Sequence, residues 1–473
     1  MRVMIKAGFY EADITPSVGM ERPGNYFKDF IPDIAEELKV YATFLTDGTT
    51  RIALVSVDTC SIGPQIYPAV KAALPDMLIV LSPTHLHNGG PSGNIEIADF
   101  YSPLAKRLLT EETIQGNPDY VKLIIRQIIS AIRMAEKRAE EVELSFGKGS
   151  VEGVTFNRGF KMKNGHRATH PGKGNPQIVE PFEPIDTEVG AVGFWRKSDE
   201  SFLGCLINFS CHGTCASVGG VNTDWPGQAI RTIRAVMGEK CGVTYLYGCA
   251  GDITQIDNQS LSPIEVGPLY SQKVGVSVGA EVLKILMRAK KGEISTFKSF
   301  EEKMQIFYRK PSPLRIAEAM EIIKLNQKGT AFNFAKEIII VGEKTAHSDG
   351  TEITLQTIQL GPLAIVTMPG EVFCGVALAI KAASKFPFTW VSSLANGSIG
   401  YVPTAAALDP ERGGGYETRL TSGTCTRPDT ADRLVAKSTE ILSRLTPGAV
   451  PTGPLIEPVD KIWDYGSNLP ELE

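Results

Sequence analysis

Six short runs rich in Val, Ile and Leu recur along the chain, and each closes on a polar residue able to ligate or titrate. IALVSV leads into Asp58, MLIVLSPT into His85 and His87, CLINFSC into His212, VTYLYGCAG into Asp252, LAIVTMPG into Glu371 and FTWVSSLANGSIG into Tyr401. Runs of this length and composition read as buried strands. Sites in α/β sheets gather where strand ends meet loops, so one rim is expected to collect these residues.

Helical patterns lie between the runs. Residues 118–141 carry apolar positions at helical spacing and a charged far face. Asp224-Trp225-Pro226 reads as an N-cap and first turn. The segments 269–292, 312–329 and 427–445 are further helices. The alternation predicts an α/β chain: a mixed β-sheet core covered by helices, with the site at the C-terminal ends of strands. One catalytic unit is expected over 1–450, with a helical insertion at about 300–345 and a proline-rich tail, 451–473, strapped along the surface. Two polar, glycine-containing stretches, 157–187 and 403–428, read as long loops, and a long loop in a compact domain is often a functional lid.

Composition narrows the function class. The 473 residues carry a net charge of −5 and no basic run, which argues against a nucleic-acid partner. The apolar stretches are strand-length, so no membrane insertion is expected. The opening MRVMIKAGFYEADITP lacks the apolar region of a signal peptide, giving an expectation of a cytoplasmic protein. The partner is then a small-molecule substrate, with homo-oligomerisation left open. Eight cysteines without C-x-x-C spacing read as reduced, buried thiols. Cys211 and Cys215 flank His212 and are weaker metal-ligand candidates.

The strongest local signal is Thr84-His85-Leu86-His87-Asn88-Gly89-Gly90. An H-x-H pair at a strand end brings two imidazoles to one loop mouth, and neutral imidazole is a preferred zinc ligand. Hydrogen-bonded loop histidines give the same pattern, and spacing alone does not say which of the two faces a metal. His212 sits in a comparable strand-end context. A catalytic zinc takes about three protein ligands and keeps one open position. Glu371 is a candidate carboxylate, although a Glu at a helix N-terminus is also stabilised by the helix dipole. His166, His170 and His347 lie in polar stretches and are expected to face solvent.

These pieces, taken together, resemble the catalytic domain of the neutral/alkaline non-lysosomal ceramidase family. AGFYEADITP, SPTHLHNGGPSGN, FNRG, SCHGT, GCAGDIT, MPGE, and GYVPT followed by Gly-Tyr-Glu occur in the family's order over most of the chain. The resemblance implies zinc bound by His85, His212, Glu371 and Tyr401. It further implies His87 as the active-site histidine beside the metal, Tyr416 as a second active-site tyrosine and Arg158 as a substrate-contacting arginine. Thr254 stands where the family has a serine near the scissile amide. Asp58 and Asp252 would orient imidazoles from behind.

The resulting expectation is a zinc-dependent hydrolase cleaving an amide, N-acyl or cyclic. The extra methyl of Thr254, the altered zinc loop and the polar 157–187 segment shift the expected substrate from ceramide toward a small polar molecule. An esterase or lactonase acting on a carbohydrate-derived or other small ester is the alternative. A non-catalytic metal- or ligand-binding protein on the same fold is a second, and a cysteine nucleophile at Cys211 or Cys249 a third.

Overall fold

The computed structural model describes residues 3–24, 27–93, 97–114, 116–216, 219–263 and 265–472. Asn94, at the end of the His85 motif, lies outside the described residues.

The apolar runs form strands of a mixed α/β fold. One large sheet runs, from edge to edge, through Gly242–Tyr247, Phe202–Phe209, Glu188–Arg196, Glu140–Ser150, Ile5–Asp13, Lys39–Thr46, Arg51–Val57 and Leu78–Pro83. Its two outer pairs are parallel and its inner pairs antiparallel. The sheet curls so that its Gly242–Tyr247 edge comes against the strands at its other end. Thr43 and Thr244, on strands five places apart in the order, share a hydrogen bond of 2.8 Å. The Tyr247 amide donates to Ser82 Oγ at 2.9 Å. Gly204 and Gly242 make the curl sterically feasible, because a Cβ on either would meet the Phe9 ring, at 2.9 and 2.2 Å. The strands ending before His85 and His212 are thereby brought together, and Leu86 and Gly213 form a parallel bridge just beyond them.

A second sheet runs Phe297–Phe307, Gly350–Leu360, Leu363–Thr367, Phe388–Ser392, antiparallel until its last, parallel pair. Its strand ends lead to Glu371 and Tyr401. The Ser393 amide donates to the Tyr247 carbonyl at 2.8 Å, and the Leu81 amide donates to Asn396 Oδ1 at 2.7 Å. The two sheets are thus stitched at the rim that carries the polar residues.

Helices cover the sheets. Pro118–Lys137 opens on Asn117, whose Oδ1 accepts from the Asp119 and Tyr120 amides, with Pro118 in the first turn. It buries Ile124, Ile128 and Ile132 against the large sheet. Asp224 proves to be the first residue of its helix rather than the cap, which is Thr223. The Asp224 carboxylate still accepts from the Trp225 amide at 2.6 Å and the Ala216 amide at 2.9 Å.

Two expectations, on the 157–187 stretch and on the tail, need correction. The 157–187 stretch is not a loop. Gly159–Met162, Arg167–Thr169 and Ile178–Pro181 form a small antiparallel sheet, because Lys161 and its neighbours pair across tight glycine turns. The segment at about 300–345 follows the strand Phe297–Phe307 and carries two helices, Pro313–Leu325 and Thr330–His347. The 451–472 segment touches the body only at its start, where Pro451 lies on Gly292 and Gly453 on Lys290. Beyond that its apolar side chains are exposed. Among the described residues no helix is long and apolar enough to cross a membrane.

Candidate metal centre

His85 follows the strand Leu78–Pro83 and takes a left-handed backbone, φ 59°. For a non-glycine residue this costs roughly 1–2 kcal/mol. The turn aims the ring inward, where Nδ1 bonds the Cys60 carbonyl at 2.7 Å. His212 follows Phe202–Phe209, and its Nδ1 bonds the Ile253 carbonyl at 3.0 Å. A carbonyl accepts only from N–H, so in its neutral form each ring carries its proton on Nδ1 and presents a lone pair at Nε2.

Both lone pairs face one carboxylate oxygen. Glu371 Oε2 lies 3.5 Å from His85 Nε2 and 3.6 Å from His212 Nε2. All three atoms are buried without a hydrogen-bond partner. Three converging acceptors repel one another unless a cation stands between them. Ligand bonds of about 2.1 Å in a tetrahedral arrangement separate ligand atoms by about 3.4 Å, close to the distances found. The residues present therefore fit a metal.

The charges agree. Burial alone would raise the Glu371 carboxyl, but the imidazoles of His212 and His85 hold it well below the usual carboxylate range. His212 is pushed down to about 3 by burial, then by Arg158 and His85. Burial opposes a charge on His85 too, yet the Cys60 carbonyl and the neighbouring Glu371 carboxylate push it up to about 10. The cluster holds one positive charge against Glu371, a place a metal ion takes by displacing the proton.

Glu371 and Tyr401 face each other across a two-residue parallel ladder, Glu371–Val372 with Tyr401–Val402. The Tyr401 hydroxyl accepts from Arg158 Nη2 at 3.1 Å, and the nearby Glu371 charge, after burial, holds its pKa well above the usual value. His87 is half-buried, its ring edge-on to His85 at 5.1 Å and 5.7 Å from that of His212. Its Nε2 also lacks a partner, and a Cβ on Gly24 would sit 2.7 Å from its Nδ1. Burial, then the neighbouring charge of His85 and His212, keeps it well below its ordinary pKa. Tyr416 packs edge-on against Tyr401 at 5.7 Å and is 37% exposed. These residues open into one pocket of about 440 Å3.

Arg158 does not reach that pocket with a free fork. Its Nε donates to Glu417 at 2.7 Å and its Nη2 to the Gly251 carbonyl at 2.6 Å and to Tyr401. It positions Tyr401 rather than presenting itself to substrate. Thr254 is also displaced from its expected role, being 2% exposed and absent from the pocket lining, with its hydroxyl donating to Gln255 Oε1 at 3.1 Å. Asp58 and Asp252 hold backbone amides and neighbouring side chains rather than imidazoles. Asp58 accepts from the Lys39 amide and the Thr84 hydroxyl. Asp252 accepts from Asn157 Nδ2 at 2.7 Å and the Cys374 amide at 2.8 Å. His166, His170 and His347 are exposed, and none belongs to the groups of residues placed to hold a metal.

Sequence reasoning missed Glu417 and Cys60. The Glu417 carboxylate, fully buried, holds both Arg158 and Arg167. Cys60 lines the pocket and its Sγ lies within 4.8 Å of ring nitrogens of His85 and His87. Cys211 and Cys249, in contrast, are buried outside it, with burial pushing both thiols up. The one available signal for Glu417 was its place after Tyr416 in a glycine-rich loop.

The fold and cluster together define a mixed α/β protein with a His-His-Glu metal-type centre at the rim of two stitched sheets. No family profile and no curated protein sequence matches the chain. Solved structures do. The neutral ceramidase from Pseudomonas aeruginosa matches 95% of this chain and 77% of its own, with a TM-score of 0.69 at 17% identity. Ceramidase complexed with C2 matches 96% of this chain and 77% of its own, with a TM-score of 0.68 at 17% identity. The chain has the neutral ceramidase fold.

Proposed function

We propose that the protein is a zinc-dependent hydrolase cleaving an amide bond, N-acyl or cyclic, of a small polar substrate. The observation that carries this reading is the convergence of His85 Nε2, His212 Nε2 and Glu371 Oε2, partnerless and 3.5–3.6 Å apart through the carboxylate oxygen. Two imidazoles and a carboxylate are a zinc-type donor set. Tyr401, across the ladder from Glu371, is the fourth ligand. The choice of an amide follows from the fold, since the solved structures sharing it are ceramidases.

Zinc, when bound, supplies Lewis acidity for polarising a carbonyl and for lowering the pKa of water to about 7. The chain's own residues do the rest. The Cys60 and Ile253 carbonyls fix both ligating imidazoles in the tautomer that leaves Nε2 free. His87, with an unpartnered Nε2 facing the same space, takes a proton from the attacking water and passes it to the leaving nitrogen. Tyr416, at the pocket mouth, donates to the carbonyl oxygen as charge builds there. Arg158, anchored by Glu417, keeps the Tyr401 hydroxyl in register with Glu371. The eight cysteines are free thiols, which supports a cytoplasmic location.

The test is an activity screen of zinc-loaded protein against N-acyl, lactone and acetyl-ester panels, repeated after chelation. About one zinc per chain and chelator-sensitive amide hydrolysis are expected. Protein that takes up no transition metal after zinc incubation would overturn the reading. Turnover of esters or lactones alone would move it to the other bond class.

A further inference from the structure

The pocket holds a cation that the metal centre does not use. Lys344 lies in the last turn of the helix Thr330–His347 and lines the same pocket as His85, His87 and Glu371. Its side chain is half-buried, with Nζ 4.6 Å from the Tyr308 ring centroid and 3.7 Å from Cys425 Sγ. A sulfur and a π face are weak partners for an ammonium with three donors. Among the described residues no carboxylate pairs with Lys344. The nearby acids are engaged elsewhere. Glu337 accepts from the Ser422 amide and hydroxyl, Glu343 from the Ser102 amide and hydroxyl, and Asp349 pairs with Lys310. Apart from Glu371, no acidic side chain is among the described residues lining the pocket. A half-buried ammonium without a counter-ion, in a pocket this size, is a binding group in want of an anion.

We propose that Lys344 binds a carboxylate on the substrate, so that the preferred substrate is an acyl compound bearing an anionic group as well as the scissile bond. This rests on the hydrolase reading above and narrows its substrate class. Lysine offers a compact point charge with rotatable donors, suited to one carboxylate oxygen at a time, without the paired geometry of an arginine. The Tyr308 ring beside Nζ limits where that oxygen approaches, and the His85 and His87 imidazoles line the same cavity. The substrate therefore touches both Lys344 and the His-His-Glu cluster within one pocket.

The test uses zinc-loaded full-length protein and two matched pairs. Succinyl-4-nitroanilide carries a carboxylate on the acyl side and 4-acetamidobenzoate carries one on the amine side. The carboxamide of each is its neutral counterpart. Both kcat/KM and calorimetric Kd are measured for wild type, Lys344→Met and Lys310→Met. At least one pair is expected to show a preference of about tenfold or more for the carboxylate in Kd, carried into KM where turnover occurs. Lys344→Met is expected to reduce that preference to within about twofold, and Lys310→Met, an exposed lysine paired with Asp349 outside this pocket, to leave it intact. Wild type binding acid and carboxamide equally in both pairs would overturn the proposal without any variant. A carboxylate preference that survives Lys344→Met would overturn it too, by assigning the anion to the metal. Binding and turnover separate the two readings: turnover without carboxylate preference keeps the hydrolase and removes Lys344, while a Lys344-dependent preference without turnover does the reverse.

Discussion

His85 and His87 stand two residues apart, yet their surroundings assign them different tasks. Nδ1 of His85 is locked on the Cys60 carbonyl and its Nε2 faces Glu371, whereas His87 touches the cluster only through its ring and keeps Nε2 unpartnered. His85→Ala and His212→Ala are expected to lose both zinc and activity. His87→Ala is expected to keep about one zinc per chain while losing roughly 10²–10⁴-fold in kcat, the usual range for a positioned acid or base. Elemental analysis beside kinetics decides it, and metal loss in His87→Ala alone would show the roles exchanged. Glu417 gives a second residue-scale prediction. Burial opposes its charge, but Arg158 and Arg167 hold its carboxyl down at about 2, against an ordinary 4.5. A folded pKa below the unfolded one stabilises above pH 4.5 and loses that contribution as pH falls toward 2. Its size is about 3 kcal/mol. Glu417→Gln should therefore be less stable than wild type at pH 7 by at least that order, and the gap should close between pH 4.5 and 2 in chemical denaturation at stepped pH. A gap independent of pH would refute the assigned charge.

At the scale of elements, the centre depends on two sheets being stitched at one rim, and Asn396 is the principal stitch. Its Oδ1 accepts from the Leu81 amide at 2.7 Å, and its Nδ2 donates to the Ile79 carbonyl at 3.1 Å and to Gln356 Oε1 at 2.8 Å. It holds a left-handed φ of 63°, which asparagine tolerates better than most residues. Asn396→Ala removes three bonds and leaves the Leu81 amide unpaired, a loss of about 2–4 kcal/mol in denaturant unfolding. Asn396→Gly keeps the backbone freedom and isolates the hydrogen-bond share. Both should weaken zinc binding, because the strand Leu78–Pro83 delivers His85; unchanged affinity would mean the site is held by its own loops. The strand runs and most helices were legible because apolar period and length carry them, and His85, His212 and Glu371 because each ends such a run. The curl of the sheet that unites them was not legible. It depends on Phe9 filling the space left by Gly204 and Gly242, a contact between residues about 200 apart in sequence. The small sheet within 157–187 was hidden for a related reason: its strands are three or four residues long, too short to show a period. Arg158 and Thr254 were misplaced because a motif fixes which residue is present but not which neighbour, Glu417 or Gln255, claims its polar atoms.

For the molecule as a whole, the substrate is set by what the pocket offers along its length. A long-chain amide needs apolar wall, since each methylene withdrawn from water is worth about 0.8 kcal/mol only when apolar atoms surround it. Among the described lining residues Ile399 is the single aliphatic side chain; the others are glycine, hydroxyl, imidazole, phenol, thiol, carboxylate and ammonium groups. The volume of about 440 Å3 is in the lower half of the range of about 300–1,000 Å3 for small-molecule sites. Among the described residues no side chain of 157–187 lines the pocket, and its buried arginine, Arg167, bonds Glu417 and the Gly414 carbonyl. The exposed apolar residues of 451–472 lie beyond the body and line no part of the pocket. Long-chain ceramide is therefore expected to be a poor substrate and a short, polar amide a better one, by tenfold or more in kcat/KM. The comparison is made with zinc-loaded protein, ceramide being presented in mixed micelles and the amide in buffer, with detergent added to both. If ceramide wins by tenfold, the polar lining is not where the chain lies, and Ile399→Ser then becomes the informative variant: an acyl chain in this pocket has one aliphatic contact to lose, and an unchanged rate would send the chain to another surface.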